Sequence, residues 1–246
     1  MSDESRALVF GSVAEAYDVY RPAIPEEVAH LLDVKGREVL EVASGTGQVT
    51  RVLEQMGAKV TAVEPDESMR AVLRRRSPLV KLIDGFAQEL PVADASFDAV
   101  VVSSAWHWFP QPAAQLEMER VLRDNGSIYI LRSHLDDSVA WLREVLALRY
   151  FGETPIDRGE SWKQTFGAPS EFSDSRFISL EWKWRRTVGQ LVELFNTYSD
   201  NIVRSDDERD EMTIRLRSRL DELFPTCEFD LPMVHNIVIA TRNSRG

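Results

Sequence analysis

The segment from Glu38 to Val63 constrains the fold of this chain more than any other. Glu38 to Val42 is an apolar strand pattern that runs into the turn Ala43-Ser44-Gly45-Thr46-Gly47, after which Val49, Val52, Leu53 and Met56 recur at helical spacing. Gly57 is a natural helix stop, and Lys59-Val60-Thr61-Ala62-Val63 resumes strand character ahead of Glu64-Pro65. Strand, tight loop, helix and strand make a βαβ unit, which implies a parallel pair with a right-handed crossover. Gly45 and Gly47 then fall at the carboxyl end of the first strand. Open α/β sheets bind ligands there, and a missing side chain lets a ligand approach the backbone. Glu64 follows 19 residues after Gly45, at the end of the next strand, in position to accept hydrogen bonds from both ribose hydroxyls of an adenosine-bearing cofactor.

The pattern continues downstream. Strands are expected over Val80 to Ile83, over Phe97 to Ser103 and, after the turn Arg123-Asp124-Asn125-Gly126, over Ser127 to Leu131, with a helix from Ala113 to Leu122 between the last two. Strands alternating with helices build a parallel sheet covered on both faces. Two further strands are expected over Phe177 to Trp184 and Val234 to Ala240. Helices are expected over Phe10 to Tyr20, ending before Arg21-Pro22, and over Ser138 to Tyr150 and Val188 to Leu223, where Leu191, Leu194 and Phe195 form an apolar stripe. Phe151 to Phe172, rich in Gly, Pro and charge, reads as a loop over the sheet edge. The run Ser205-Asp206-Asp207-Glu208-Arg209-Asp210 reads as a solvated loop or helix start.

Composition narrows the partners. The 246 residues carry 29 Lys and Arg against 40 Asp and Glu, a net charge of -11, which repels a polyanionic backbone, so neither DNA nor RNA is expected as the main substrate. Cys227 is the single cysteine, which excludes an internal disulfide, and with four scattered histidines no Cys-rich zinc site and no metal are expected. The first residues are polar and acidic, and no apolar run approaches the ~20 residues that span a bilayer. A cytoplasmic protein with no membrane partner is the expectation, and no feature of the sequence fixes an oligomeric state.

The dinucleotide fingerprint wants a third small residue where Gly45-Thr46-Gly47-Gln48-Val49-Thr50 has Thr50, so a pyrophosphate-binding turn is disfavoured. At this point the sequence resembles the class I S-adenosylmethionine-dependent methyltransferases, especially the small-molecule group. The resemblance runs through Val39-Leu40-Glu41-Val42-Ala43-Ser44-Gly45-Thr46-Gly47 and then, in the family's order, Val63-Glu64-Pro65-Asp66 with Met69, Gly85-Phe86-Ala87-Gln88-Glu89-Leu90-Pro91, Ala95-Ser96-Phe97-Asp98, and Glu119-Arg120-Val121-Leu122 with Gly126. It covers roughly Phe10 to Arg132. It implies that Glu41 and the loop Ala43, Ser44, Gly45 to Gly47 hold the methionine part of S-adenosylmethionine, Glu64 beside Pro65 the ribose, Met69 an adenine face and Phe86-Ala87 the adenine edge. Ser103 and Ser104 would line the reactive end.

Two positions depart from the family. Ala43 stands where glycine is usual, and Phe86 where an acidic residue commonly accepts from the adenine amino group, leaving Glu89 or Asp84 as substitutes. The stretch Phe10 to Pro22 looks like the lid helix of small-molecule members, with Tyr17 and Arg21 reaching the cofactor. The alternative is that Tyr17 and Tyr20 pack the helix to the sheet while Arg21 pairs with a surface carboxylate.

Ala105-Trp106-His107-Trp108-Phe109 follows the fourth strand directly and resembles the trans-aconitate methyltransferase-like branch. Trp106, Trp108, His107 and, in second rank, His134 are the candidate substrate pocket. His107 is the candidate general base for a hydroxyl or amine, the alternative being that it only hydrogen-bonds the substrate or packs the loop. Trp162, Trp182 and Trp184 read as packing residues, and His30 and His235 as structural.

The fold expected is α/β, a Rossmann-like doubly wound, seven-stranded, mostly parallel sheet with an antiparallel last strand and helical lid insertions. One domain spans 1–246: lid helices over 1–35, a cofactor-binding core over 36–134, and substrate-side helices with the last two strands over 135–246. The expected activity is methyl transfer from S-adenosylmethionine to a small molecule bearing a carboxylate, hydroxyl or amine, leaving S-adenosylhomocysteine. The alternatives are a non-catalytic S-adenosylmethionine-binding protein and an NAD-dependent oxidoreductase, which shares only the glycine turn and the ribose acid. Methylation of protein or RNA is disfavoured by the acidic charge.

Overall fold

The computed structural model describes residues 9–149 and 170–244. Seven strands form one sheet: β1 (Glu38–Val42), β2 (Lys59–Val63), β3 (Lys81–Ile83), β4 (Phe97–Ser103), β5 (Leu122–Leu135), β6 (Phe172–Thr187) and β7 (Glu228–Arg242), in the order β3-β2-β1-β4-β5-β7-β6. The first five pair in parallel; β7 runs antiparallel to both β5 and β6. The fold is the α/β Rossmann-like one expected, with the last strand reversed. Because β1 is flanked by β2 on one side and β4 on the other, the strand order reverses at β1, and a crevice opens at the carboxyl ends of β1 and β4.

Alternate residues of the central strands face two cores. Leu40, Val100, Val102, Ile128 and Ile130 lie in one, with Ala114, Met118 and Val121; Val39, Ala99, Val101, Tyr129 and Leu131 lie in the other, with Val28, Leu32, Val49 and Leu53. Strands buried on both faces account for the continuous apolar runs of the sequence. The helices are α1 (Ala14–Tyr20), α2 (Glu26–Ala29), α3 (Gln48–Gln55), α4 (Glu67–Arg76), α5 (Ala113–Val121), α6 (Ala140–Arg149), α7 (Val188–Asn196), α8 (Ser199–Ile202) and α9 (Asp206–Leu223). A third core joins α6, α7 and α9 to the start of β7 through Leu142, Val145, Leu191, Phe195, Leu216 and Leu231.

Several boundaries differ from the sequence reading. Phe10 to Tyr20 is not one α-helix: Val9–Val13 is a 3₁₀ turn and only Ala14–Tyr20 is α. Gly11 lies there against the Asp66 carboxylate, where an added Cβ would stand 2.4 Å from an oxygen, so this turn is set by its contact rather than by propensity. The turn expected at Arg123 to Gly126 is absorbed into β5 as an irregularity, with Asn125 at φ 59° and the register against β4 shifting between Phe97 and Ala99. Val188 to Leu223 divides into three helices. The last starts at the charge run, where Ser205 accepts from the Glu208 amide and Glu208 returns a bond to the Ser205 amide. Of the loop expected over Phe151 to Phe172, residues 151–169, with Trp162, lie outside the described residues, and Phe172 opens β6. No helix among the described residues is long and apolar enough to cross a membrane, and none of their His, Cys, Asp and Glu side chains cluster as a metal site would require.

Candidate functional site

The loop after β1 takes its shape from the backbone angles its residues adopt. Ala43, Gly45 and Gly47 have φ of 56°, 58° and 82°, the left-handed region that glycine enters freely and alanine at a cost of roughly 1–2 kcal/mol. A Cβ on Gly45 would meet nothing within 4 Å, so its surface faces open space. Gly47 is different: it is the N-cap of α3, and a Cβ would strike Leu73 at 2.8 Å. Gly47 therefore shapes the loop from behind and borders neither of the two cavities described below, where a direct cofactor contact was expected of it.

Glu64 holds the loop to the end of β2. Its carboxylate accepts from the Gly45 amide at 2.9 Å and from the Asp66 amide at 3.0 Å. Burial pushes its pKa up to about 7, partly offset by those two N–H donors. Glu41, on β1, is fully enclosed and accepts from Thr50 Oγ1 at 2.5 Å; burial raises its pKa to about 8, opposed by the Thr50 bond. Thr46 Oγ1 is buried with no partner.

A cavity of about 410 Å³ opens above these strand ends. Its lining includes Glu64, Pro65, Met69, Phe86 and Ala87 from the β2 and β3 side, Ala43, Gly45, Ser103 and Ser104 from the ends of β1 and β4, and His107, Trp108 and His134 from beyond β4 and from β5. Tyr17 and Arg21 reach it from α1. An adjoining smaller cavity is bounded by Glu41, Ala43, Ser44, Gly45 and Thr46. Residues separated by more than a hundred positions in the chain thus converge on two adjoining spaces.

The structure corrects other expectations. Trp106 is buried in the core with Ala114 and Met118, its ring edge-on to Phe109, because the 3₁₀ turn Trp106–Trp108 directs its first side chain inward. Only Trp108 and His107 of that turn line the cavity, with their rings 4.8 Å apart. Neither substitute for the missing adenine-edge carboxylate lines it: Asp84 is exposed and paired with Arg70 at 2.8 Å, and Glu89 is exposed. Gln88 lines the cavity instead, and its amide can both donate and accept. His30 is not structural; its ring is largely exposed, 3.6 Å from Glu26. Trp182 and Trp184 are half-buried against the third core, with Arg186 over the Trp184 ring at 3.3 Å.

Arg21 meets no surface carboxylate among the described residues. It donates from Nε to Thr197 Oγ1 and from Nη2 to the Thr197 carbonyl, each at 2.9 Å, and its guanidinium lies 4.0 Å from the Tyr198 ring. From below, Gln48 Nε2 donates toward the carbonyls of Tyr17, Asp18 and Arg21 at 3.3, 3.0 and 2.9 Å, and Asp18 pairs with Arg51 and Arg76. The first helix is therefore tied on one side to α3 and α4 and on the other to the junction of α7 and α8.

His134 has its protons assigned by its neighbours. Its Nδ1 faces the Leu135 carbonyl at 3.1 Å, which only accepts, so Nδ1 carries the hydrogen. Nε2 then accepts from Asn236 Nδ2 at 3.2 Å, while Asn236 Oδ1 accepts from Ser179. Burial lowers the His134 pKa. A neutral imidazole with both nitrogens engaged is not a base, which leaves His107, exposed at the mouth, as the one candidate of the two.

Phe10, Gln88, Arg132, Ser133, Asp137, Arg149, Tyr198, Asp200 and Asn236 also line the cavity and were not singled out from the sequence. Apart from Phe10 in the first turn and Gln88 between β3 and β4, they come from the end of β5 and the elements after it, where no motif marks them. Phe10 and Gln88 sat inside stretches already set out, Phe10 to Pro22 and Gly85 to Pro91, without being assigned a contact.

A family model described as a methyltransferase domain matches residues 40–130. An uncharacterized methyltransferase of Mycobacterium bovis is 33% identical over 220 residues, covering 89% of this chain and 88% of that one. An uncharacterized methyltransferase-like protein of Schizosaccharomyces pombe is 27% identical over 96% of this chain and 92% of its own. Among solved structures, a putative type II methyltransferase from Anaeromyxobacter dehalogenans superposes with a TM-score of 0.67 at 22% identity, over 91% of this chain and 98% of that one. An N-methyltransferase from Haemonchus contortus, solved with phosphomonomethylethanolamine and S-adenosylhomocysteine, gives 0.58 at 15% identity over 95% and 58%. With the glycine-bearing loop, the acid after β2 and the reversed last strand in their places, this chain belongs to the class I S-adenosylmethionine-dependent methyltransferases.

Proposed function

We propose that the chain binds S-adenosylmethionine along the carboxyl ends of β1, β2 and β4 and methylates a small molecule in the remainder of the same cavity. The observation that carries this reading is the continuity of one space from the Glu64 carboxylate to the His107-Trp108 turn. The residues present fit the cofactor: Glu64 offers an acceptor for ribose hydroxyls, Met69 and Phe86 offer apolar faces for adenine, and Glu41 with the buried, unpartnered Thr46 hydroxyl offers polar groups beside the loop. When bound, the cofactor supplies a methyl group on an already activated sulfonium, which the acceptor displaces in line.

The chain's own work is positioning and exclusion of water. Arg21 and Tyr17 close the cavity from α1, and Trp108 walls the acceptor end. His107 removes the proton from a hydroxyl or amine acceptor; for a carboxylate acceptor it serves as a hydrogen-bond donor. The aromatic and imidazole turn supports a small-molecule branch akin to the trans-aconitate methyltransferases, and the acidic net charge supports an acceptor other than nucleic acid. The test is turnover of methyl-labelled S-adenosylmethionine against a panel of carboxylates, phenols and amines. Label in one acceptor class with matching S-adenosylhomocysteine is expected; a silent panel with intact cofactor binding would overturn catalysis and favour a binding protein.

A further inference from the structure

Ser133 and His235 face each other directly across the β5–β7 ladder. They continue the sheet face on which Tyr129, Leu131, Ile237 and Ile239 are buried against α3. Ser133 is half-exposed and lines both the large cavity and the smaller one beside Glu41, Ser44 and Thr46. His235 is almost wholly buried, 1% exposed, and its Nδ1 lies 2.6 Å from Ser133 Oγ. Among the described residues, its Nε2 is buried with no partner, and the Ser133 hydroxyl has no other.

Two proton arrangements satisfy that short contact, and they differ in what they leave behind. If Ser133 donates to Nδ1, the ring hydrogen sits on Nε2 as a buried donor with no acceptor, an arrangement native proteins avoid. If Nδ1–H donates to Ser133 Oγ, the ring leaves only a lone pair at Nε2, and the serine hydrogen is free to turn into the cavity. Every donor hydrogen then has somewhere to go. Burial also pushes the His235 pKa down to about 4, so the ring is neutral and carries a single hydrogen at neutral pH.

We infer that His235, as its Nδ1–H tautomer, is a positioning residue that turns the Ser133 hydroxyl into the cavity, where it donates to a carboxylate oxygen of the cofactor's amino-acid tail. The tail is the occupant because Ser133 borders the small cavity together with the loop after β1 and Gln48, on the sheet face from which that loop enters α3. This rests on the cofactor reading above. It adds a serine and a histidine outside every motif to the site, and the histidine acts only through the serine.

Two measurements test it. In protein labelled with ¹⁵N-histidine, long-range ¹⁵N–¹H correlations report the tautomer of each of the four rings, and the His235→Asn variant identifies the signal that belongs to His235. A protonated Nδ1 is expected; a protonated Nε2 overturns the inference. Calorimetry then compares S-adenosylhomocysteine with 5′-methylthioadenosine, which lacks the amino-acid tail. Ser133→Ala is expected to weaken S-adenosylhomocysteine by roughly 10- to 100-fold, the value of a hydrogen bond to a charged group, and to leave methylthioadenosine within about twofold. His235→Phe is expected to reproduce part of that selective loss. Equal weakening of both ligands, or of neither, overturns the inference. If the wild-type protein binds neither ligand, the cofactor reading fails and the ligand half of this inference with it, whereas a protonated Nε2 refutes the inference and leaves the cofactor reading standing.

Discussion

Replacing Glu64 by alanine separates a structural role from a binding role, because the two carry different magnitudes. In the folded chain its carboxylate accepts from the amides of Gly45 and Asp66. Removing it orphans the buried Asp66 amide at about 1–3 kcal/mol and the part-buried Gly45 amide, which water can reach, at less. The same removal relieves the cost of holding a carboxylate whose pKa burial has pushed from 4.5 to about 7; at pH 7 that relief is about 3 kcal/mol at 1.36 kcal/mol per unit. The opposing terms leave a net stability change of a few kcal/mol at most, and the variant folds. Affinity has no such offset: two charge-assisted bonds to ribose hydroxyls, at about 1.5–3 kcal/mol each, correspond to a loss of roughly 10²- to 10⁴-fold. Glu64→Gln keeps one acceptor oxygen and is expected to lose roughly 10- to 100-fold. Calorimetric titration with S-adenosylhomocysteine, beside thermal melts of the same samples, reads both quantities. A folded Glu64→Ala protein that binds within threefold of wild type refutes the placement of the ribose.

Ala43→Gly relieves about 1–2 kcal/mol of left-handed strain and adds up to about 1 kcal/mol of unfolded-chain entropy; denaturant melts should shift by about 0–2 kcal/mol toward greater stability, and a loss above about 1 kcal/mol would show that φ 56° is not strained there. The folded pKa values of Glu41 and Glu64, about 8 and about 7, lie above the ordinary 4.5, so the folded state binds more protons between these limits. Stability should therefore fall as pH rises from about 5 to 8, and Glu41→Gln should flatten the upper part of that slope; a stability that rises over this range contradicts the burial argument. For the same reason, placing the cofactor's ammonium beside Glu41 should release a proton near pH 7, seen as binding heats that differ between buffers of unlike ionisation enthalpy. Gln48→Glu sets an oxygen against the carbonyls of Tyr17, Asp18 and Arg21, and should speed both amide exchange over 14–21 and S-adenosylhomocysteine dissociation by about tenfold or more; unchanged exchange would show that Gln48 does not tie the helix down.

The parallel half of the sheet was legible because its strands are buried on both faces and its helices on one, so period and punctuation agree from Glu38 to Ser103. The part of the cavity expected to take the cofactor was legible in outline for a related reason: Glu41, Gly45 and Glu64 lie at or just past strand ends, and strand ends can be read locally. The acceptor half was not. Asn236 reaches the cavity because β7 inserts between β5 and β6, a pairing of residues about a hundred positions apart that leaves no local pattern. Trp106 and Trp108 show the same limit at short range, since two aromatics two positions apart in a strand-like run would share a face, whereas the 3₁₀ turn sends one to the core and one to the cavity. Gly47 was read as a ligand contact from its motif, and only the nearness of Leu73 distinguishes its role from that of Gly45.

The central claim, that the space above β1, β2 and β4 is built for S-adenosylmethionine, meets its most direct test in calorimetric titration of the wild-type chain with S-adenosylmethionine and, in parallel, with NAD. Saturable binding of one S-adenosylmethionine per chain, with no heat from NAD, is the predicted result; binding of NAD without S-adenosylmethionine would contradict it.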